Sequence, residues 1–173
     1  NVLGSTAFAD RNTISGNSTD GVLITTVTIL NPPPNPPTII AASRNKVINS
    51  YIGSDVTGRF DIGNTGWGIN ISGGDASIIG GVTEDERNII SGNNGGGVRL
   101  ATTSAVNNRI IGNYIGTDYT GVYPLGNGVS GGGGIAPGVL LNDAVNNSIG
   151  GTGNGEFNFI KFNLQNGGVV LSG

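Results

Sequence analysis

Apolar residues in this chain come in short runs of three to six positions that alternate with Asn or other polar residues and stop at Gly, Asn or Asp. Alternation with a period of two, broken by turn formers, predicts strands. No helix-length window carries apolar residues at spacings of three and four, so the expected fold class is all-β.

The runs recur in three kinds. The first follows Asn, any residue, Ile, Gly and its variants, as "NVLGST" from Asn1, "SIIGGV" from Ser77 and "NSIGGT" from Asn147. The second is "RNTISGN", "RNIISGN" and "FNFIKFN", led by Asn12, Asn88 and Asn158. The third is "GVLI", "GVRL" and "GVVL", from Gly21, Gly97 and Gly168. Between these sets lies a longer unit: "NKVINSYIGSDVTGRFDIGN" from Asn45 matches "NRIIGNYIGTDYTGVYPLGN" from Asn108 at an offset of 63 residues. A single element of this size cannot bury its own apolar face, so the copies are expected to stack and close a shared Ile, Val and Leu interior. The reading is one domain over 1–173, with loop insertions at about 25–42, 53–66 and 116–137; whether two or three strands make one turn stays open.

The repeats resemble those of right-handed parallel β-helix proteins, the large secreted bacterial surface proteins of adhesin type. The resemblance runs through nearly the whole chain, on "RNxISGN", "GVxI", "NYIGTDxTG" and "LGN". It implies a single-domain right-handed parallel β-helix, a solenoid with Gly, Asn and Pro-rich loop insertions, and a secreted or cell-surface location. Fold alone does not give function. In such a stack Ile14 and Ile90 would point inward. Asn12, Asn88, Asn108, Asn147 and Asn158 would hold turns and bond the next copy, as stacked Asn residues do.

Composition narrows the chemistry. The chain is 36% hydrophobic but only 11% charged, with a net charge of −3. Its eight Lys and Arg are scattered, which offers no footprint for nucleic acid or an anionic membrane. No apolar run approaches the ~18 residues of a membrane span. Cys and His are absent, which removes disulfides, thiolate metal sites and the Ser/His/Asp triad. Met is absent as well, so a mature product or a segment of something longer is expected.

Four sets of residues invite functional readings. Asp55 and Asp118, matched in "IGSDVTG" and "IGTDYTG", are calcium candidates with Thr57 and Thr120 beside them; an Asx-turn accounts for the same residues. No other cofactor is expected. As a carboxylate pair two turns apart they would stand ~9–10 Å from each other, just outside the inverting glycosidase range. Phe60, Trp67, Tyr119 and Tyr123 are candidate contacts for a sugar or a partner surface, or else covers for the ends of the core. Arg and Lys would supply the base of a polysaccharide lyase, but Arg11, Arg87, Lys46 and Arg109 are repeat copies and no acids cluster around Arg59 or Arg99. Finally, neither end of the sequence shows a cap, so the chain reads as a segment of a longer array or as a protomer whose ends stack head to tail.

The function expected is therefore an extracellular structural protein, a building block of an adhesin, sheath or filament, without catalysis. The alternative is a carbohydrate-binding or carbohydrate-active β-helix, lyase-like or glycosidase-like.

Overall fold

A computed structural model describes residues 1–129 and 134–173, with Phe8 described by its backbone alone. Strands and turns make up nearly all of it, with two single-turn 3-10 helices, Phe8–Asp10 and Glu84–Glu86. Residues 130–133, within the expected insertion at 116–137, lie outside the described residues.

Three five-stranded parallel sheets carry the fold. In the first, Val2–Leu3, Lys46–Val47, Ile78–Gly80, Arg109–Ile111 and Ser148–Ile149 lie side by side in chain order. The second holds Asn12–Ile14, Ser50–Ile52, Ile89–Ile90, Tyr114–Ile115 and Phe159–Ile160. The third holds Val22–Thr25, Trp67–Ser72, Gly96–Ala101, Val139–Asn142 and Val169–Ser172. The chain thus visits the three sheets in the same order five times, which is compatible with a β-helix-like fold. Each of the three short motifs maps to one sheet, the longer unit runs through the first and second, and the open question of two or three strands per round resolves to three principal ones.

Register explains the spacing of the Ile and Val residues. Leu3, Val47, Ile79, Ile110 and Ile149 align across the first sheet. Ile14, Ile52, Ile90, Ile115 and Ile160 align across the second. The third sheet contributes two columns, Val22 to Val169 and Ile24 to Leu171. These columns meet in one core in which Ile52, Ile69, Ile79, Ile90, Val98 and Ile115 are fully buried. Each such burial stabilises the fold by ~1.5–3 kcal/mol.

One insertion is more than a loop. Within 25–42, Val27–Ile29 pairs antiparallel with Thr38–Ile40, a hairpin around the Pro-rich segment, and Ala42–Ser43 then pairs in parallel with Gly74–Asp75.

Candidate functional site

The chain turns sharply at the corners between sheets, and Asn residues hold those corners. Between the second and third sheets the column is complete. The Nδ2 groups of Asn17, Asn64, Asn93 and Asn127 each donate to the Oδ1 of the Asn one round on, at 2.8 to 3.0 Å, ending at Asn163. The same amides reach back to carbonyls of the preceding round, as from Asn93 to Ile52 and from Asn127 to Ile90. Asn64, Asn93 and Asn127 are fully buried, where an unpaired amide or carbonyl would be costly.

The corner between the first and second sheets carries Asn88, Asn113 and Asn158, joined in the same way. Asn12 stands one strand further out, opposite Ser50, and the column stops at that Ser. At the third corner Asn108 donates to Asn147, while Ser77 takes the neighbouring rung. "RNxISGN" therefore contains two corner residues, its first Asn and its last. The sequence reading gave the first a bond to the next copy and the last only a turn; the signal for the second rung lay in the "GN" that also closes both long units.

Matched long loops enter the corner between the second and third sheets in alternate rounds. From the inward Ile of the second sheet to the following corner Asn is three residues in the first, third and fifth rounds: Ile14 to Asn17, Ile90 to Asn93 and Ile160 to Asn163. In the second and fourth it is twelve, Ile52 to Asn64 and Ile115 to Asn127. Each detour leaves and returns to the same two positions of the stack. Gly53 and Gly116 open the two loops at φ near +90°, with an added Cβ falling 2.2 and 2.1 Å from a carbonyl oxygen of the next round, so only Gly fits there.

The two loops fold alike. Asp55 accepts from the Thr57 hydroxyl at 2.7 Å and from the amides of Arg59 and Phe60. Asp118 accepts from the Thr120 hydroxyl and from the amides of Val122 and Tyr123. Slight burial pushes Asp55 up, but the bonds from Thr57 and from the Phe60, Arg59 and Thr57 amides outweigh it and hold the carboxyl down at about 2. Both carboxylates therefore close their own turns. Among the described residues no group of three or more His, Cys, Asp or Glu is placed to hold a metal.

Because the third round has no such loop, the loops of its neighbours meet above it. The Tyr119 amide donates to the Gly58 carbonyl at 3.0 Å, and Arg59 both donates to the Tyr119 hydroxyl at 2.8 Å and lies 5.0 Å over its ring. Phe60 and Tyr123 are 68% and 66% exposed and, with Arg59, Asp118 and Thr120, line a cleft of about 370 Å³. They do not cover the core. Trp67 lies apart, in the third sheet, with its ring against Gly96. Arg59 and Asp118, which the sequence did not connect, share this cleft. The Tyr119 hydroxyl and charge push Arg59 further up, which suits it to a fixed cation and not to a base.

The remaining cations are largely absorbed by structure. Arg11 lies 4.4 Å over the Tyr51 ring, Arg87 lies 4.2 Å over Tyr114, and Lys161 lies 4.9 Å over Phe159. Lys46 and Arg109, matched copies, pair with Glu86 and Glu156 of the following round at 2.6 and 2.5 Å. The hydrogen bond from Lys46 leads the effects that lower Glu86; for Glu156 the Gly153 amide leads and Arg109 follows. No helix among the described residues is long and apolar enough to cross a membrane. No protein-family model, curated protein or solved structure matches the chain.

Proposed function

We propose that the chain is a right-handed parallel β-helix, a solenoid of secreted, cell-surface adhesin type. It serves as an extracellular structural building block of a sheath or filament, without catalysis. The observation that carries the reading is the complete Asn column from Asn17 to Asn163, in which every rung donates in the same direction along the stack. A column with that polarity extends by simple addition, since the last donor and the first acceptor suit each other. The edges of the first and last rounds join further rounds of the same kind, a second copy of this chain included. The absence of Cys and His and the use of Arg and Lys in ring and carboxylate contacts also favour structure over catalysis. Electron microscopy of untagged protein over a range of concentrations tests this. Filaments many molecules long are expected; isolated particles at every concentration would contradict it.

A second reading, a carbohydrate-binding surface, is favoured by one specific feature, the exposed Phe60 and Tyr123 beside Arg59 and Asp118 in the loop cleft. Exposed rings next to fixed polar groups suit the two faces of a sugar. Saturable binding of surface polysaccharide, lost on Tyr123→Ala or Phe60→Ala, is the outcome this reading expects; no binding to any sugar would remove it.

A further inference from the structure

Tyr119 reaches from the fourth-round loop to the second-round loop, where its amide meets the Gly58 carbonyl. Two adjoining cavities, of about 200 and 410 Å³, share Tyr119, Tyr51 and Arg11 as lining. The larger falls within the ~300–1,000 Å³ of ordinary ligand clefts. They lie on the outward side of the second sheet, whose inward residues are the Ile column, and involve neither Phe60 nor Tyr123.

The lining is sorted by chemistry. The smaller cavity adds Glu84, Asp85 and Arg87, so with Arg11 it presents two cations and two anions. The larger adds Ala9, Thr13, Val56 and Thr57, apolar surface with two hydroxyls. Both arginines are fixed in place. Arg11 donates from Nη1 to the Tyr51 hydroxyl at 2.7 Å and from Nε to Asn49 at 2.9 Å, and Arg87 stacks on Tyr114 with Glu84 3.7 Å away. Fixed donors lose little freedom on binding a ligand. Tyr119, 39% exposed, offers ring surface between the two cavities.

An anionic ligand would face Glu84 and Asp85, and a cationic one Arg11 and Arg87. A neutral polyol uses both sets, since its hydroxyls donate to carboxylates and accept from guanidinium groups. Its C–H face needs an aromatic or aliphatic wall, which Tyr119, Val56 and Ala9 supply.

We infer that this groove binds a neutral pyranose glycan, with Tyr119 as the stacking surface, Arg11 and Arg87 as donors and Glu84 and Asp85 as acceptors. The inference rests on the carbohydrate-binding reading and adds a second site to it.

The test is an amide chemical-shift titration of the labelled protein with cellobiose, diacetylchitobiose and lactose, beside digalacturonate as an anionic probe. Saturable shifts centred on Thr57, Glu84, Asp85 and Tyr119 are expected with at least one neutral disaccharide, and none with digalacturonate. Tyr119→Ala should weaken that binding about tenfold. Because Tyr119 also joins the loops, Val56→Trp is the second variant: Val56 is 77% exposed, so a larger side chain there fills the groove with the fold intact. It should weaken binding at the groove by a similar factor, whereas Tyr123→Ala removes only shifts centred on the loop cleft at Phe60 and Asp118. Neutral sugars that bind but respond only to Tyr123→Ala or Phe60→Ala would overturn the groove and leave the carbohydrate reading standing. Preference for digalacturonate would overturn the neutral ligand class, and no shift with any probe would overturn groove and reading together.

Discussion

The corner between the second and third sheets has an Asn in every round, whereas the corner between the first and second is broken at Ser50. The broken corner is not left unpaired. Asn49, one residue earlier, adopts a left-handed φ of 48° and donates to the carbonyls of Ser5 and Ala7, while its Oδ1 accepts from Arg11. In the fourth round the equivalent pair is Gly112 and Asn113, with Gly in the left-handed position and Asn on the rung. The difference teaches where the stack needs uniformity. The second corner is where loops of three or twelve residues must return to one place, and there the rung is never varied. The first corner closes links of three and nine residues, as from Val47 to Ser50 and from Ile79 to Asn88, and accepts an exchange of roles between neighbours.

The largest effect should come from breaking the complete column. Asn93→Ala removes five buried side-chain bonds, among them those with the Ile52 carbonyl, the Asn64 amide group and the Asn127 Oδ1. At ~0.5–1.5 kcal/mol for each bond lost, about 3–5 kcal/mol is expected to go in urea unfolding. Gly116→Ala, at the entry to the fourth-round loop, combines a φ of +90° with a Cβ placed on the Lys161 carbonyl, and about 2–4 kcal/mol should be lost. At the broken corner Ser50→Ala removes one hydroxyl bond, to the Ile48 carbonyl, and should cost only about 1 kcal/mol. A cost equal to that of Asn93→Ala would erase the distinction between the corners.

Acid should probe the second-round detour selectively. The Asp55 carboxyl sits at about 2 in the folded chain against an ordinary 3.8, so folding favours its charged form. The stability it adds is complete above about pH 4 and is lost as pH falls toward about 2. Asp55→Asn should flatten that limb of the acid-unfolding curve, and an unchanged limb would count against the turn. The smallest effect is a gain. Phe162, exposed and at a φ of 60° just before the last rung, occupies a position suited to Gly. Phe162→Gly should raise stability by about 0.5–1 kcal/mol in the same urea measurement.

Much of this architecture was readable from the residues. Alternation gave the strands, and repeat offsets placed Val47 with Ile110 and Tyr51 with Tyr114, each pair two rounds apart in the sheets. Asn88 and Asn158 could be read as a corner because each precedes an apolar run, whereas Asn113, on the rung between them, was not assigned. The complete column was harder to see. Asn64 and Asn127 sit nine residues further along than their partners Asn17 and Asn93 relative to the inward Ile, and a Gly-Asn pair reads equally well as a simple turn. The hairpin formed by Val27–Ile29 and Thr38–Ile40 was hidden by the prolines between its strands. The contact of Tyr119 with Gly58 and Arg59 spans about sixty residues and exists only because the intervening round is short there, which no local pattern records. Candidate chemistry was legible in residue type and much less in placement: Phe60 and Tyr123 share a cleft, Trp67 lies apart, and the groove at Arg11, Tyr51 and Arg87 draws on three different rounds.

The most direct test of the structural role is X-ray fibre diffraction from aligned, concentrated, untagged protein. End-to-end addition of five-round units predicts a sharp meridional reflection near ~4.8 Å, the spacing between neighbouring strands, with an axial repeat of ~24 Å. A pattern without meridional order, from a solution that holds only separate particles, would contradict it.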